Sequence, residues 1–397
     1  MKTPRFVQIH FLTAYPASLL NRDDAGFAKR MRFGGTVRTR ISSQCQKRHW
    51  RTFDGPNSLS EIGGEGSMSV RSRYIFEQIA RPLREEFDHE AVDAMVQAVA
   101  DVTLGASDKG SKAEKEKKGL RTSQLIVLGH AEIEHLRATT RRLLQEGANP
   151  DKKGIKGAIE KEGWENLSAV GRGAGLDAAL FGRMKTSDVL ADCDAAVHVA
   201  HAFTVHGEHS ETDYFTAVDD LARDIDEEVG AGAGHINAAE LTSGLYYGYV
   251  AVDLPLLAAN LEGVDPHEWR DADLELAGQV MASLVHLIAT VSPGAKLGAT
   301  APYSLADFVA VEAGDSQPCT WANAFSWPVD GRANLREQAV ARLDDHLARL
   351  DRMYQLENER RYAAMTDASL GDARAELAEG LPGLAHWTRT VVTEGIA

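Results

Sequence analysis

Two groups of side chains in this 397-residue chain are of types that do chemistry. The first is a run of histidines, His198, His201, His206 and His209, with Glu208 and Asp213 close by. Imidazoles beside carboxylates can hold a metal, and a metal there would make the chain a metal-dependent hydrolase or nuclease. Their intervals of three, five and three residues are not gathered onto one face by any single regular element, and in a strand His198 points opposite to His201. A half-buried strand with polar edges explains the same residues without a metal. The second group is basic. The segment RFGGTVRTRISSQCQKRHWR, residues 32–51, holds six Lys or Arg and no Asp or Glu, in a chain of formal charge −15. From Ser43 its pattern becomes helical: Ser43 can cap, and Gln46 three residues on can complete a capping box. Gln44, Lys47, Arg48 and Arg51 then share one helix face, next to the free N–H groups at the helix start. Such a face holds phosphates and breaks no bond. Ser42 and Ser43 are nucleophile types, yet no His–Asp pair accompanies them, and capping accounts for a serine at a helix start.

Weaker signals lie elsewhere. GRMKTSD (182–188) and SPGAKLG (292–298) combine Gly and Lys without the frame of a phosphate loop. Met184 and Phe215 are bulky apolar residues in polar surroundings. They either tuck into a core or wedge against nucleobases.

The bulk numbers narrow the classes. With 44% hydrophobic and 25% charged residues the chain can bury a large core. Cys45, Cys193 and Cys319 form no C-x-x-C pair, so neither a disulfide framework nor a thiolate zinc site is expected, and a reducing cytoplasm fits. No apolar run is long enough to span a membrane, and no targeting segment is visible. Charge is unevenly spread: residues 1–51 carry eleven Lys or Arg against two acids, the remainder 32 against 56. That asymmetry points to a polyanion on one face.

These residues need elements to position them. Alternation predicts strands at RFVQIHFLT and at Thr36–Ile41. Helical runs follow at SRYIFEQIARPLREEF, EAVDAMVQAVADVTL and TSQLIVLGHAEIEHLRATTRRLLQEG, with an exposed, mobile, charge-rich loop over 105–121. DKKGIKGAIEKEG groups Lys152, Lys153 and Lys156, though Gly154 and Gly157 weaken its helix propensity. A strand is expected over 194–206, a polar irregular stretch over 207–240, and a strand at SGLYYGYVAVDL. A long helix places Ala277, Val280, Leu284 and Ile288 on one face. The strand ADFVAVEAG and two C-terminal helices complete the chain, the first striped by Leu335, Ala339, Leu343, Leu347 and Leu350. The order reads β-α-β, β-α-β, an α+β fold of the ferredoxin-like, RNA-recognition type with two insertions.

HFLTAYPASLLNRDD, RFGGTVRTRISSQCQKRHWR, FGRMKTSD, DYFTAVDDL, LTSGLYYGYVAVDL and ATVSPGAK, in this order, resemble the CasC family, the backbone subunits of the type I-E CRISPR surveillance complex Cascade. The resemblance implies a hand-shaped subunit: a palm at 1–55, 181–206 and 241–397, helical fingers at 56–180 and a thumb at 207–240. It implies several copies in a filament along one CRISPR RNA, with other Cascade subunits as partners. RNA-backbone contacts fall on Arg22, Lys29, Ser42, Gln44, Lys47, Arg48 and Arg51. Met184 and Phe215 flank the base displaced at each kink, and Lys152, Lys153 and Lys156 guide target DNA. No cofactor, metal or catalytic residue is implied. Cutting would fall to a separate enzyme.

Overall fold

The computed structural model describes residues 2–64, 66–105, 119–147, 151–160, 173–183, 193–218, 233–331, 333–371 and 373–396. The opening alternation makes β1 (Phe6–Ser18), whose Val7, Ile9 and Phe11 enter one core while Leu12 enters another. β2 (Arg30–Phe33) and β3 (Thr36–Ile41) form a hairpin turned by Gly34 and Gly35, both at positive φ. A Cβ on Gly34 would lie 1.6 Å from the Ser326 carbonyl oxygen, so only glycine fits there. α1 (Ser43–Thr52) and α2 (Leu59–Gly63) lead to a lobe of β4 (Ser69–Ser72), α3 (Ile75–Leu83), α4 (His89–Thr103), β5 (Ile126–Gly129), α5 (His130–Gln145) and α6 (Lys152–Glu160). This lobe has its own core around Phe76, Val96, Leu128, Leu136 and Ile155. The chain re-enters through α7 (Leu176–Phe181), β6 (Val197–Val199) and β7 (Ala202–Thr204). β8 (His209–Val218) and β9 (Ala233–Asp253) follow, then α8 (Leu254–Glu262), α9 (Glu275–Thr290), α10 (Leu297–Thr300) and β10 (Phe308–Gly314). α11 (Leu335–Tyr354), β11 (Glu359–Ala364), β12 (Glu376–Leu377) and α12 (Gly380–Thr393) end the described chain.

The sheet runs β12-β11-β10-β1-β9-β7-β3-β2, with β6 and β8 also paired to β9. Its centre, β10-β1-β9-β6/β7, is antiparallel throughout. With α1 before β6 and α9 before β10, this is the α+β, split β-α-β arrangement expected. α9 carries Ala277, Val280, Leu284 and Ile288 into the core on one face of the sheet, beside α12. Ala339, Leu343 and Leu347 of α11 are buried over the other face, with Leu335 and Leu350 packed at its edge.

That second face is the surface on which an RNA-recognition fold stacks bases. Here it is closed. Trp321 stacks on His10 with centroids 3.4 Å apart and planes 6° apart. Burial, helped by Arg360, holds the His10 pKa well below the ordinary histidine value. Under the same cover Arg360 pairs with Asp351 at 2.6 and 2.8 Å and with Glu312, which also accepts from Gln8 Nε2 at 2.6 Å.

Several local expectations change. The cap of α1 is Ser42, whose Oγ accepts from Cys45 N at 3.3 Å. Ser43 is already helical, and Gln46, rather than closing a capping box, is buried with Nε2 donating to Ala200 O. IVLG does not belong to the helix but forms β5, with α5 beginning at His130. The expected strand over 194–206 divides into β6 and β7. Of the polar stretch 207–240, the described residues 209–218 and 233–240 are not irregular: β8 pairs with β9 from His209↔Ser243 to Val218↔Ala233, and 219–232 lie outside the described residues. Lys152–Glu160 is helical despite its two glycines, because Asp151 Oδ1 caps Gly154 N at 2.8 Å and Ile155 and Ile159 are buried. β11 and β12 were not expected. Among the described residues no helix is long and apolar enough to cross a membrane.

Candidate nucleic-acid interface

The six bases of segment 32–51 do not share one fate. Arg38 is buried, its guanidinium donating to the carbonyls of Phe33, Thr204 and Phe325 at 3.2, 2.9 and 3.0 Å. It stitches the hairpin to the sheet. Arg51 Nη1 lies 3.4 Å from Asp177 Oδ2, with only 14% of the arginine side chain and 1% of the aspartate exposed. Asp177 also accepts from the backbone N and Oγ of Ser69 at 2.7 Å each, so Arg51 helps anchor α7 to β4. Lys47 is half-buried, its Nζ 5.5 Å from the Phe181 ring centroid, and burial lowers its pKa. Gln44 and Arg48 are exposed on the outer side of α1, while Gln46 and Trp50 face inward. The face inferred from spacing is therefore real at Gln44 and Arg48, graded at Lys47 and occupied at Arg51.

Other bases join from outside the helix. Asn21 positions them: its Oδ1 accepts from Ser42 N at 2.9 Å and its carbonyl from Lys29 N at 2.9 Å. Arg40 N in turn donates to Lys29 O at 2.8 Å, and Arg22 bridges Ala28. Arg40 Nη1 donates to His201 Nδ1 at 2.9 Å. Burial first, then the charges of Arg40 and Lys29, lowers the His201 pKa, which suits an imidazole accepting from a guanidinium. Lys29 and Arg48 both act on the Cys45 thiol, whose pKa burial nevertheless raises. Arg22, Lys29 and Arg40 thus lie on the segments tied to the start of α1, whose first turn has no acid, and Arg48 lies one turn further along the helix. Among the described residues, the ion pairs of this region are those of Arg30 with Glu208 and Glu240 and of Arg51 with Asp177; these four bases take part in none. Cations gathered without counter-charges at a helix N-terminus make an anion site. Sequence reasoning missed Arg40, whose signal was its place beside Arg38 in the same strand, and weighed His201 only as part of the alternative metal site.

The histidine run does not converge. His198 and His201 lie on and just after β6. His206 is buried, with Nδ1 donating to Gly207 O at 2.6 Å and Nε2 accepting from Leu245 N at 3.2 Å. Both nitrogens are used, so it has no lone pair for a metal. His209 lies beside it, rings 4.8 Å apart, across a cleft of ≈ 690 Å³ that His206, Tyr15 and Arg336 also line. Among the described residues no group of three or more His, Cys, Asp or Glu is arranged to hold a metal ion.

Phe215 stands on β8 with 43% of its surface exposed, and Lys296 Nζ is 6.0 Å from its ring centroid. Met184 and most of the 105–121 segment lie outside the described residues. Lys152, Lys153 and Lys156 are exposed on α6, Lys156 being 3.5 Å from Glu160. Two lysines in a helix's first turn oppose its dipole, so helix stability does not explain them.

The comparisons bear on this interface. The family model described as CT1975-like protein matches residues 7–387. A chain of the solved "CRISPR RNA-guided surveillance complex, pre-nicking" is 30% identical, over 98% of this chain and 100% of that one, at a TM-score of 0.77. A chain of a second solved "CRISPR RNA-guided surveillance complex" is 25% identical, over 97% and 99%, at a TM-score of 0.69. No curated protein matches the chain.

Proposed function

Because this chain belongs to the CT1975-like protein family, we propose that it is a non-catalytic, RNA-binding backbone subunit of a CRISPR surveillance complex of type I-E. Copies line up along one guide RNA. The sugar-phosphate track lies on Arg22, Lys29 and Arg40 at the start of α1 and on Arg48 one turn along it, with Ser42, Gln44 and Lys47 beside it, and the carrying observation is that these four bases have no acidic partner among the described residues. Arg51 supports this surface through Asp177 rather than forming it. Phosphate contacts give affinity without sequence preference, which suits a protein that must hold any guide. Reading is left to pairing between guide and target DNA. In this reading residues 1–55, 181–206 and 241–397 are the palm, 56–180 the fingers and 207–240 the thumb. Phe215 and Met184 wedge the kinked guide, and Lys152, Lys153 and Lys156 steer the target strand. The hydrolase reading is not carried forward, because both His206 nitrogens are spent on the backbone.

Purified at low salt, the protein is expected to retain RNA, seen as a raised ratio of absorbance at 260 over 280 nm, and to elute as a large particle. A protein-like ratio and a monomer-sized peak would overturn the proposal. Phe215→Ala is expected to leave guide binding intact and to weaken target engagement about tenfold, because guide bases no longer held in pre-ordered segments lose more entropy on pairing. Unchanged target affinity in a filter-binding titration would remove the wedge role.

A further inference from the structure

Residues 291–306, VSPGAKLGATAPYSLA, hold one charge, Lys296, and no acid. The loop is braced along its length. Ala295 N donates to Leu19 O at 2.8 Å, Ala306 N to Ala289 O at 2.8 Å, and Ser304 N to Ser292 Oγ at 3.1 Å. Gly294 N donates to His49 Nε2 at 3.3 Å, and the other nitrogen of that ring donates to Cys45 O at 2.8 Å. The loop is thereby docked on α1. Leu297 and Pro302 close over Gly294, where an added Cβ would sit 2.5 and 2.8 Å from them. Two residues other than glycine are held left-handed, Lys296 at φ 57° and Ala301 at φ 38°. They cap the two ends of α10, and residues held this way cluster at ligand clamps and active sites.

What the loop presents is outward-facing. Tyr303 is 77% exposed, more than any other tyrosine among the described residues, and Leu305 and Leu297 are exposed beside it in sequence. Lys296 reaches back over Phe215. The loop therefore joins the last turn of α1, at His49, to the aromatic residue of the β8–β9 arm. An exposed aromatic with one cation and no acid, on a braced loop docked on the helix that carries Gln44, Lys47 and Arg48, has the chemistry of a stacking platform for single-stranded nucleic acid.

We propose that Tyr303 stacks on a nucleobase of the strand held at α1, with Lys296 on the adjoining phosphate. This rests on the reading of the α1 surface as an RNA track. The test uses the full chain with a short single-stranded RNA and with an abasic oligonucleotide of the same length. Tyr303→Ala is expected to weaken the RNA roughly five- to hundredfold and the abasic oligonucleotide not at all. Tyr303→Trp should restore affinity, with its emission quenched by RNA. Equal loss on both probes, or loss on neither, overturns the platform. So does dissociation of RNA-free copies by Tyr303→Ala in sedimentation, which would make the loop a protein-docking surface. If Lys29→Glu with Arg48→Glu weakens neither probe, the track reading itself fails, independently of Tyr303.

Discussion

Lys29→Glu combined with Arg48→Glu is expected to lower affinity for single-stranded RNA at least a hundredfold at moderate salt, with the thermal midpoint unchanged. Two phosphate contacts disappear and two repulsions take their place. The slope of log affinity against log salt should fall by at least about 1.4, since each lost contact on a single strand removes about 0.7. These two positions separate binding from folding because neither takes part in an ion pair among the described residues. Lys47 and Arg51 would not serve. The first rests on Phe181, and the second holds Asp177, so their variants would disturb packing as well. An unchanged salt slope would show that the RNA runs elsewhere.

Arg360→Met is expected to cost about 3–5 kcal/mol of stability, the scale of breaking one side of a buried ion pair. Glu312 and Asp351 are both buried, and Arg360 is the cation that faces them. Removing it strands two carboxylates beneath α11, although Gln8 and Asn358 still donate to Glu312. Adding Glu312→Gln and Asp351→Leu removes the uncompensated charge and should restore much of the loss. The urea midpoint checks both steps. RNA affinity should not change, because β11 and the β2–β3 hairpin lie at opposite edges of the sheet. An unchanged midpoint in Arg360→Met would mean that water reaches the pair.

The strands at the centre of the sheet were legible because local alternation marks them. Val7, Ile9 and Phe11 carry period two, and Ala277, Val280, Leu284 and Ile288 carry period 3.6, whatever they pack against. β8 was illegible for the opposite reason. Its residues from His209 to Phe215 are exposed on both faces, so no apolar side betrays the pleat. IVLG is too short for periodicity to separate strand from helix, and it abuts a true helix. At the interface, charge could be counted but not apportioned. What takes Arg38 and Arg51 out of play is the Thr204 carbonyl, 166 residues away, and Asp177, 126 away. Such partners are fixed by tertiary structure, and nothing near either arginine announces them. The same holds for Arg40 and His201, 161 residues apart in the chain and 2.9 Å apart in space.

β9 belongs at once to the sheet and to the arm. Its ladder with β1 runs from Asp253 to Thr242, and its ladder with β8 takes over from Ser243 down to Ala233. At about 3.3 Å per residue, its 21 residues make one member roughly 70 Å long. The two ladders overlap at Thr242, where β9 runs on unbroken while β1 opposite it shifts register between Tyr15 and Ser18. Swinging the arm would mean tearing rungs that the core also uses. It is a cantilever, and its angle is inherited from the twist of the sheet beneath it.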